Sequence, residues 1–178
     1  MPDIYQDLLA RAIATYRVAN NGFHPDANAK QIAAALDGLN EPLGTLAAAI
    51  AKQKTGGFPN ADAFATATRD ALRVIDAQRD TLNAAMASAA AADRTKVTTG
   101  ATLDVQANLQ KAKVQQAADA ALLASVDDII RHARSDAAAA AGGTGGDGGD
   151  SRGSMTVGQW IADEIADISG AESEEDGP

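Results

Sequence analysis

The stretch at residues 31–50, QIAAALDGLNEPLGTLAAAI, decides the fold class. Within it Ile32, Leu36, Leu39, Leu43, Leu46 and Ile50 fall four and three residues apart. A helix turns once every 3.6 residues, so steps of three and four return to one side and build a continuous apolar seam. Gly38 and Pro42 interrupt this seam chemically. Proline has no N–H to give the helix, and its ring crowds the preceding turn. The expectation is therefore a kink, or two short helices with Asn40 capping the second.

The same periodicity extends in both directions. Upstream, Tyr5, Leu8, Leu9, Ala12, Ile13 and Tyr16 form one face of a helix from about Asp3 to Asn20. Asn20-Asn21-Gly22 reads as a stop, Pro25 opposes continuation, and Phe23 in this turn reads as a plug for the core. Asp26 is the expected N-cap of the second helical region. Downstream, Thr55-Gly56-Gly57-Phe58-Pro59 ends that region, and Asn60 is a good N-cap for a third helix reaching about Ala92. Phe64, Thr68, Ala71, Leu72, Ile75, Leu82, Ala85, Met86 and Ala89 fall on its broad inner face. Arg69, Arg73, Asp76, Arg79 and Asp80 mostly decorate the other face, which reads as solvated.

A turn at Val97-Thr98-Thr99-Gly100 precedes a fourth helix from about Thr102 to Ala140. Its apolar residues are Leu103, Leu109, Val114, Leu122, Leu123, Val126, Ile129 and Ile130, and Gln106, Gln110, Gln115 and Gln116 make its first half polar. At a rise of 1.5 Å per residue, the third and fourth helices can form an antiparallel hairpin roughly 45 Å long or more. The expected architecture is all-α: an elongated, Ala-rich helical bundle over residues 1–141, with the first two helices packed at one end of the hairpin or along it.

Composition agrees with closely packed helices. The chain of 178 residues holds 43 alanines against 38 other hydrophobic residues. Alanine is the best helix former but contributes little on burial, whereas a Leu or Phe contributes about 1.5–3 kcal/mol. The core is therefore thin, and a second copy could supply missing buried area, so a homo-oligomer is expected.

Charge is divided unevenly. Residues 1–54 and 55–98 each hold five acids and five bases, and residues 99–141 hold five acids and four bases. Residues 142–178 hold nine acids and one base, Arg152. Nearly all of the net charge of −9 thus lies at the C-terminal end. No basic stripe suits nucleic acid or an anionic membrane, and a partner selected by charge would be basic.

That C-terminal end has its own organisation. Gly142 to Gly149 reads GGTGGDGG, and six glycines in eight residues cannot sustain a helix. The run also matches the first six positions of a calcium-binding G-G-x-G-x-D repeat. Only one copy is present, however, and Gly149 stands where an apolar residue belongs, so residues 142–154 read as a flexible linker. After Ser154, Thr156 and Gln159 fit a capping box, and Met155 with Trp160 fits the hydrophobic staple that accompanies it. Trp160, Ile161, Ile165 and Ile168 share one face of a short amphipathic helix over 155–170, and 171–178 is an acidic, disordered tail. So short a helix is marginal in water and needs a surface. The expected partner-binding residues are Met155, Trp160, Ile161, Ile165 and Ile168, docking on a neighbouring subunit or back on the bundle.

Signals for catalysis are weak. The absence of cysteine excludes disulfides, thiolate chemistry and Cys-ligated zinc. His24 precedes Pro25 in a turn. His132 lies four residues after Asp128 and could share a face with it, but two ligands do not make a metal site, and it reads as a solvated or helix-end histidine. Asp127 and Asp128 point about 100° apart on a helix. No phosphate-binding G-x-x-x-x-G-K-[ST] loop occurs.

The expectation is a non-catalytic structural or assembly protein of a larger particle, such as a phage virion or a protein shell. It would bind a neighbouring subunit through the tethered C-terminal helix. No cofactor, metal, nucleic acid or membrane partner is expected. The alternative is a soluble acidic adaptor or assembly chaperone for a basic or aggregation-prone partner. No apolar run approaches the ~18 residues of a membrane span, and the N-terminus lacks a basic-then-apolar pattern. The cytoplasm, or a particle assembled there, is the expected location.

Overall fold

The computed structural model describes residues 3–99 and 102–142, and these are all-α with no strand among them. Four helices follow in order: α1 Ile4–Ala19, α2 Asp26–Lys54, α3 Ala61–Thr98 and α4 Thr102–Gly142. Gly142, the first residue of the expected linker, is the last residue of α4. The rest of the linker, the segment 155–170 with Met155, Trp160, Ile161, Ile165 and Ile168, and the acidic tail lie outside the described residues.

Helix starts follow local chemistry. Asp3 caps α1, its carboxylate accepting from the Tyr5 amide at 3.0 Å. Asn60 caps α3, accepting from the Ala63 amide at 2.8 Å. The expected cap at Asp26 is not formed. Pro25 occupies the cap position without a side-chain bond, and Asp26 is the first helical residue. An acid in the first turn still faces the positive end of the helix dipole favourably.

Helix α1 ends as its sequence predicts. The Asn20 amide bonds to the Tyr16 carbonyl at 2.7 Å. Asn20 and Asn21 then each accept from the amide two residues on, at 2.9 and 3.0 Å, and Gly22 takes a positive φ of 67° between them. Two consecutive Asx turns thus reverse the chain and leave Phe23 and His24 pointing inward, both buried.

Two boundaries differ from expectation. Of the two alternatives at Pro42, the pair of short helices does not form: residues 26–54 are one helix with Pro42 inside it. An interior proline costs about 3 kcal/mol. Leu39, Leu43 and Leu46 around it are fully buried, and each contributes about 1.5–3 kcal/mol. The seam therefore outweighs the lost bond, and Pro42 is itself buried. Likewise α3 continues past Ala92 to Thr98. Thr95 and Thr98 return their hydroxyls to carbonyls one turn back, and Lys96 reaches across to the Phe23 carbonyl at 3.1 Å, so the last turns are held from outside the helix.

Cross-bonds give the helix directions. Between α3 and α4, Arg134 pairs with Asp76 at 2.6 Å and Arg79 with Asp127 at 2.9 Å, so the two run antiparallel. Asn28 meets Ser88 between α2 and α3, and Tyr5 meets Asp136 between α1 and α4. Those pairs too join early residues of one helix to late residues of the other. The result is an up-down-up-down bundle in which α1 and α2 pack along the α3–α4 hairpin. Helices α2 and α4 each touch all three others and form the short diagonal. At 1.5 Å per residue, the 38 residues of α3 span about 57 Å. Alanine enables the close packing: Ala85 and Ala89 on α3 and Ala118, Ala133 and Ala137 on α4 all belong to one buried cluster. Leu109 and Val114 depart from the expected pattern, being exposed at 38% and 45%.

Candidate functional site

Near the turn joining α1 to α2, the interior is polar. The His24 ring enters between α3 and α4 with a carboxylate at each nitrogen. Nε2 lies 2.7 Å from Asp119 Oδ2 in a hydrogen bond. Nδ1 lies 2.7 Å from Asp93 Oδ2, in an ion-pair approach that does not meet hydrogen-bond geometry. Tyr16 donates its hydroxyl to Asp119 Oδ1 at 2.8 Å. Gln115 donates from Nε2 to the same oxygen at 3.0 Å and to the Tyr16 hydroxyl at 3.2 Å. All five side chains are buried, Gln115 completely.

The backbone explains how these residues meet. Tyr16 sits in the last turn of α1 and His24 just after the Asx turns that close it. Gln115 and Asp119 are one turn apart on the inner face of α4, directly before Ala118, Leu122 and Val126 of the core. Asp93 follows Ala85, Met86 and Ala89 on the inner face of α3. Lys96 covers the outside, its Nζ 4.4 Å from the Phe23 ring centre.

The two aspartates differ in support. Asp119 accepts from His24, Tyr16 and Gln115. Asp93 has the ion pair with His24 on one oxygen, and its Oδ1 is buried without a hydrogen-bond partner. Desolvation pushes the Asp93 carboxyl above its usual range, with His24 opposing the shift. Burial raises the Tyr16 hydroxyl, reinforced by its bond to Asp119. A neutral imidazole has one N–H and an imidazolium two. Only the Nε2 side of the ring makes a hydrogen bond here, to Asp119.

Both aspartates also line a pocket of about 350 Å³ between the last turns of α3 and the first half of α4. Ala90, Val97, Leu109 and Ala112 form its apolar walls. The exposed Arg94 and Lys113 stand at its edge.

This arrangement can hold charge in place, and it bridges three chain segments. It is not built as a nucleophile–base pair, since Tyr16 donates to Asp119 and no serine or threonine bonds to His24. Nor do the carboxylates converge on one point with a free ring nitrogen. Among the described residues no group of three or more His, Asp or Glu side chains is arranged to hold a metal ion.

The sequence assigns His24 only to a turn, and its side chain is 97% buried and doubly flanked. The Asp128–His132 pairing does not form. Asp128 instead pairs with Arg131, and His132 is exposed. Asp76 and Arg79, read as part of a solvated face, make the two ion pairs to α4. The polar cluster was missed as a unit, although its signal was present. Gln115, Asp119 and Asp93 stand in register with the apolar residues of their helices, where a solvated polar residue has no place. The chain matches no family model, and neither the curated proteins nor the solved structures yield a match to it.

Proposed function

We propose that this protein is a non-catalytic structural or assembly component of a larger particle. The helical bundle is its rigid spacer, residues 142–154 its tether and residues 155–170 the helix that docks on a neighbouring subunit. The observation that carries this reading is the division of charge. Residues 1–141 are within one charge of neutrality, while 142–178 hold nine acids and one base. A bundle that is neutral and a segment that is acidic and amphipathic have different jobs.

The packing supports the same division. Large apolar side chains exposed on the bundle (Ile4, Val18, Val74, Leu109 and Val114) come from separate turns of three helices. Scattered single residues of this kind are ordinary surface. The adhesive face of the chain is then Trp160 with Ile161, Ile165 and Ile168. A tether raises the effective concentration of such a helix within an assembly.

The test is removal of residues 142–178. The truncated chain is expected to keep a cooperative thermal transition while losing co-assembly with its neighbour. Loss of the folded bundle would overturn the reading. The acidic tail favours a second reading, an adaptor or assembly chaperone for a basic partner. Light scattering separates the two, a defined oligomer supporting the assembly component and a monomer the adaptor.

A further inference from the structure

The proposed assembly role leaves the pocket between α3 and α4 unused. From its walls and floor we infer that it is a binding site for a small organic ammonium ion with an apolar body. Three observations converge on this class of ligand.

The first is the cavity. Its volume of about 350 Å³ falls within the range of about 300–1,000 Å³ typical of small-molecule sites. Ala90, Val97, Leu109 and Ala112 give it apolar walls that would cover an aryl or alkyl group.

The second is the floor. Asp93 lines the pocket, is 94% buried, and keeps Oδ1 without a partner. An unmade bond at a buried charged acceptor is costly, and only a donor can recover it. Asp119 also lines the pocket, but its oxygens are already taken by His24, Tyr16 and Gln115. Asp93 is thus the anchor.

The third is charge. Two acidic side chains, Asp93 and Asp119, flank the single ring of His24. Lys96 is the nearby base, and its Nζ is committed to the Phe23 carbonyl. An ammonium at Asp93 would supply the missing donor and place a positive charge beside two acids. A bare inorganic cation fits poorly, because it needs about six oxygen ligands and the walls offer methyl groups. Arg94 and Lys113 at the edge disfavour ligands carrying several positive charges.

The test uses the full chain with benzylamine, benzyl alcohol and phenylacetate as probes. Binding is followed by the methyl resonances of Val97 and Leu109 on titration. Two variants accompany the wild type. Asp93→Asn alters the anchor, and Ala112→Leu fills the cavity while leaving every residue of the polar cluster unsubstituted. Circular dichroism checks that each is folded, and Ala112→Leu decides if Asp93→Asn does not fold. The expected result is saturable binding of benzylamine, with benzyl alcohol and phenylacetate at least about tenfold weaker. Each folded variant is expected to weaken benzylamine by about tenfold or more. The inference is overturned if benzylamine does not bind, if the alcohol binds equally well, or if Ala112→Leu leaves its affinity unchanged. Loss of the 142–178 segment leaves this binding intact, so its failure and that of the assembly role are distinguishable.

Discussion

His24 Nε2 and Asp119 Oδ2 meet at 2.7 Å across 95 residues of sequence, and both side chains are buried. This one bond ties the α1–α2 turn to the inner face of α4. Asp93 holds the opposite side of the same ring from α3. The polar cluster therefore fixes the relative register of three helices at one end of a bundle whose remaining core is largely leucine, isoleucine and alanine.

Removing the histidine should be severe. His24→Ala leaves two buried acidic side chains without the ring that lies between them. Breaking a buried pair on one side costs about 3–5 kcal/mol. Urea unfolding of the variant is expected to show a loss of that size. A loss under about 1 kcal/mol would mean that the cluster is solvated in the native protein.

Alkaline pH should unfold the bundle through its only two tyrosines. Burial and hydrogen bonds to Asp136 and Asp119 raise Tyr5 and Tyr16 well above the ordinary tyrosine range. The unfolded tyrosines ionise near about pH 10, while the native ones keep their protons. The native state then binds more protons than the unfolded one. Stability conferred by the two hydroxyls is complete below the unfolded value and is lost as pH rises towards the folded one. Tyrosinate absorbance should stay absent above pH ~10 until the circular dichroism signal falls, and the two changes should coincide. Early ionisation of one tyrosine in the folded protein would show that its hydroxyl is not buried as described.

Two glycines should respond oppositely to alanine. Gly22 has φ 67° with open space around it, so Gly22→Ala meets only backbone strain, about 1–2 kcal/mol. Gly38 lies inside α2, and a Cβ there would fall 2.5 Å from Gln78 Oε1. That oxygen ends a flexible side chain, so it can swing aside. Gly38→Ala should then gain up to about 1 kcal/mol from helix propensity. Denaturation midpoints at unchanged slope measure both. Destabilisation by Gly38→Ala would show that Gln78 is held in place between α2 and α3.

The two α3–α4 ion pairs should matter less. Asp76 and Asp127 are about half exposed, although Arg134 is largely covered. Arg79→Ala is expected to cost under about 1 kcal/mol, and the cost should shrink further at high salt. An equal loss at low and high salt would instead point to the packing of the arginine stem.

Much of this fold was legible in the sequence, because its cause is periodicity. Ile32 to Ile50 and Phe64 to Ala89 carry their spacing openly, and Asn60 and Gly22 mark real boundaries. What periodicity could not weigh was competition between local and tertiary terms. Pro42 argued for a break, but the buried leucines around it decided otherwise. The candidate site was illegible for a different reason. His24 stands beside a proline in a turn, outside any periodic pattern, and its burial depends on Asp93 and Asp119 arriving from helices far along the chain. Reading the inward register of Gln115, Asp119 and Asp93 would have placed three polar groups in the core. Such groups need partners, and His24 is the side chain that meets both aspartates.

The assembly role is tested most directly by sedimentation velocity on the full chain and on the Trp160→Ala, Ile165→Asp double variant. Both substitutions lie on the apolar face read for residues 155–170. The wild-type chain should sediment as a defined oligomer and the double variant as a folded monomer with an unchanged thermal transition. A wild-type chain that stays monomeric at every concentration, or an oligomer that the two substitutions leave intact, would refute docking through this helix.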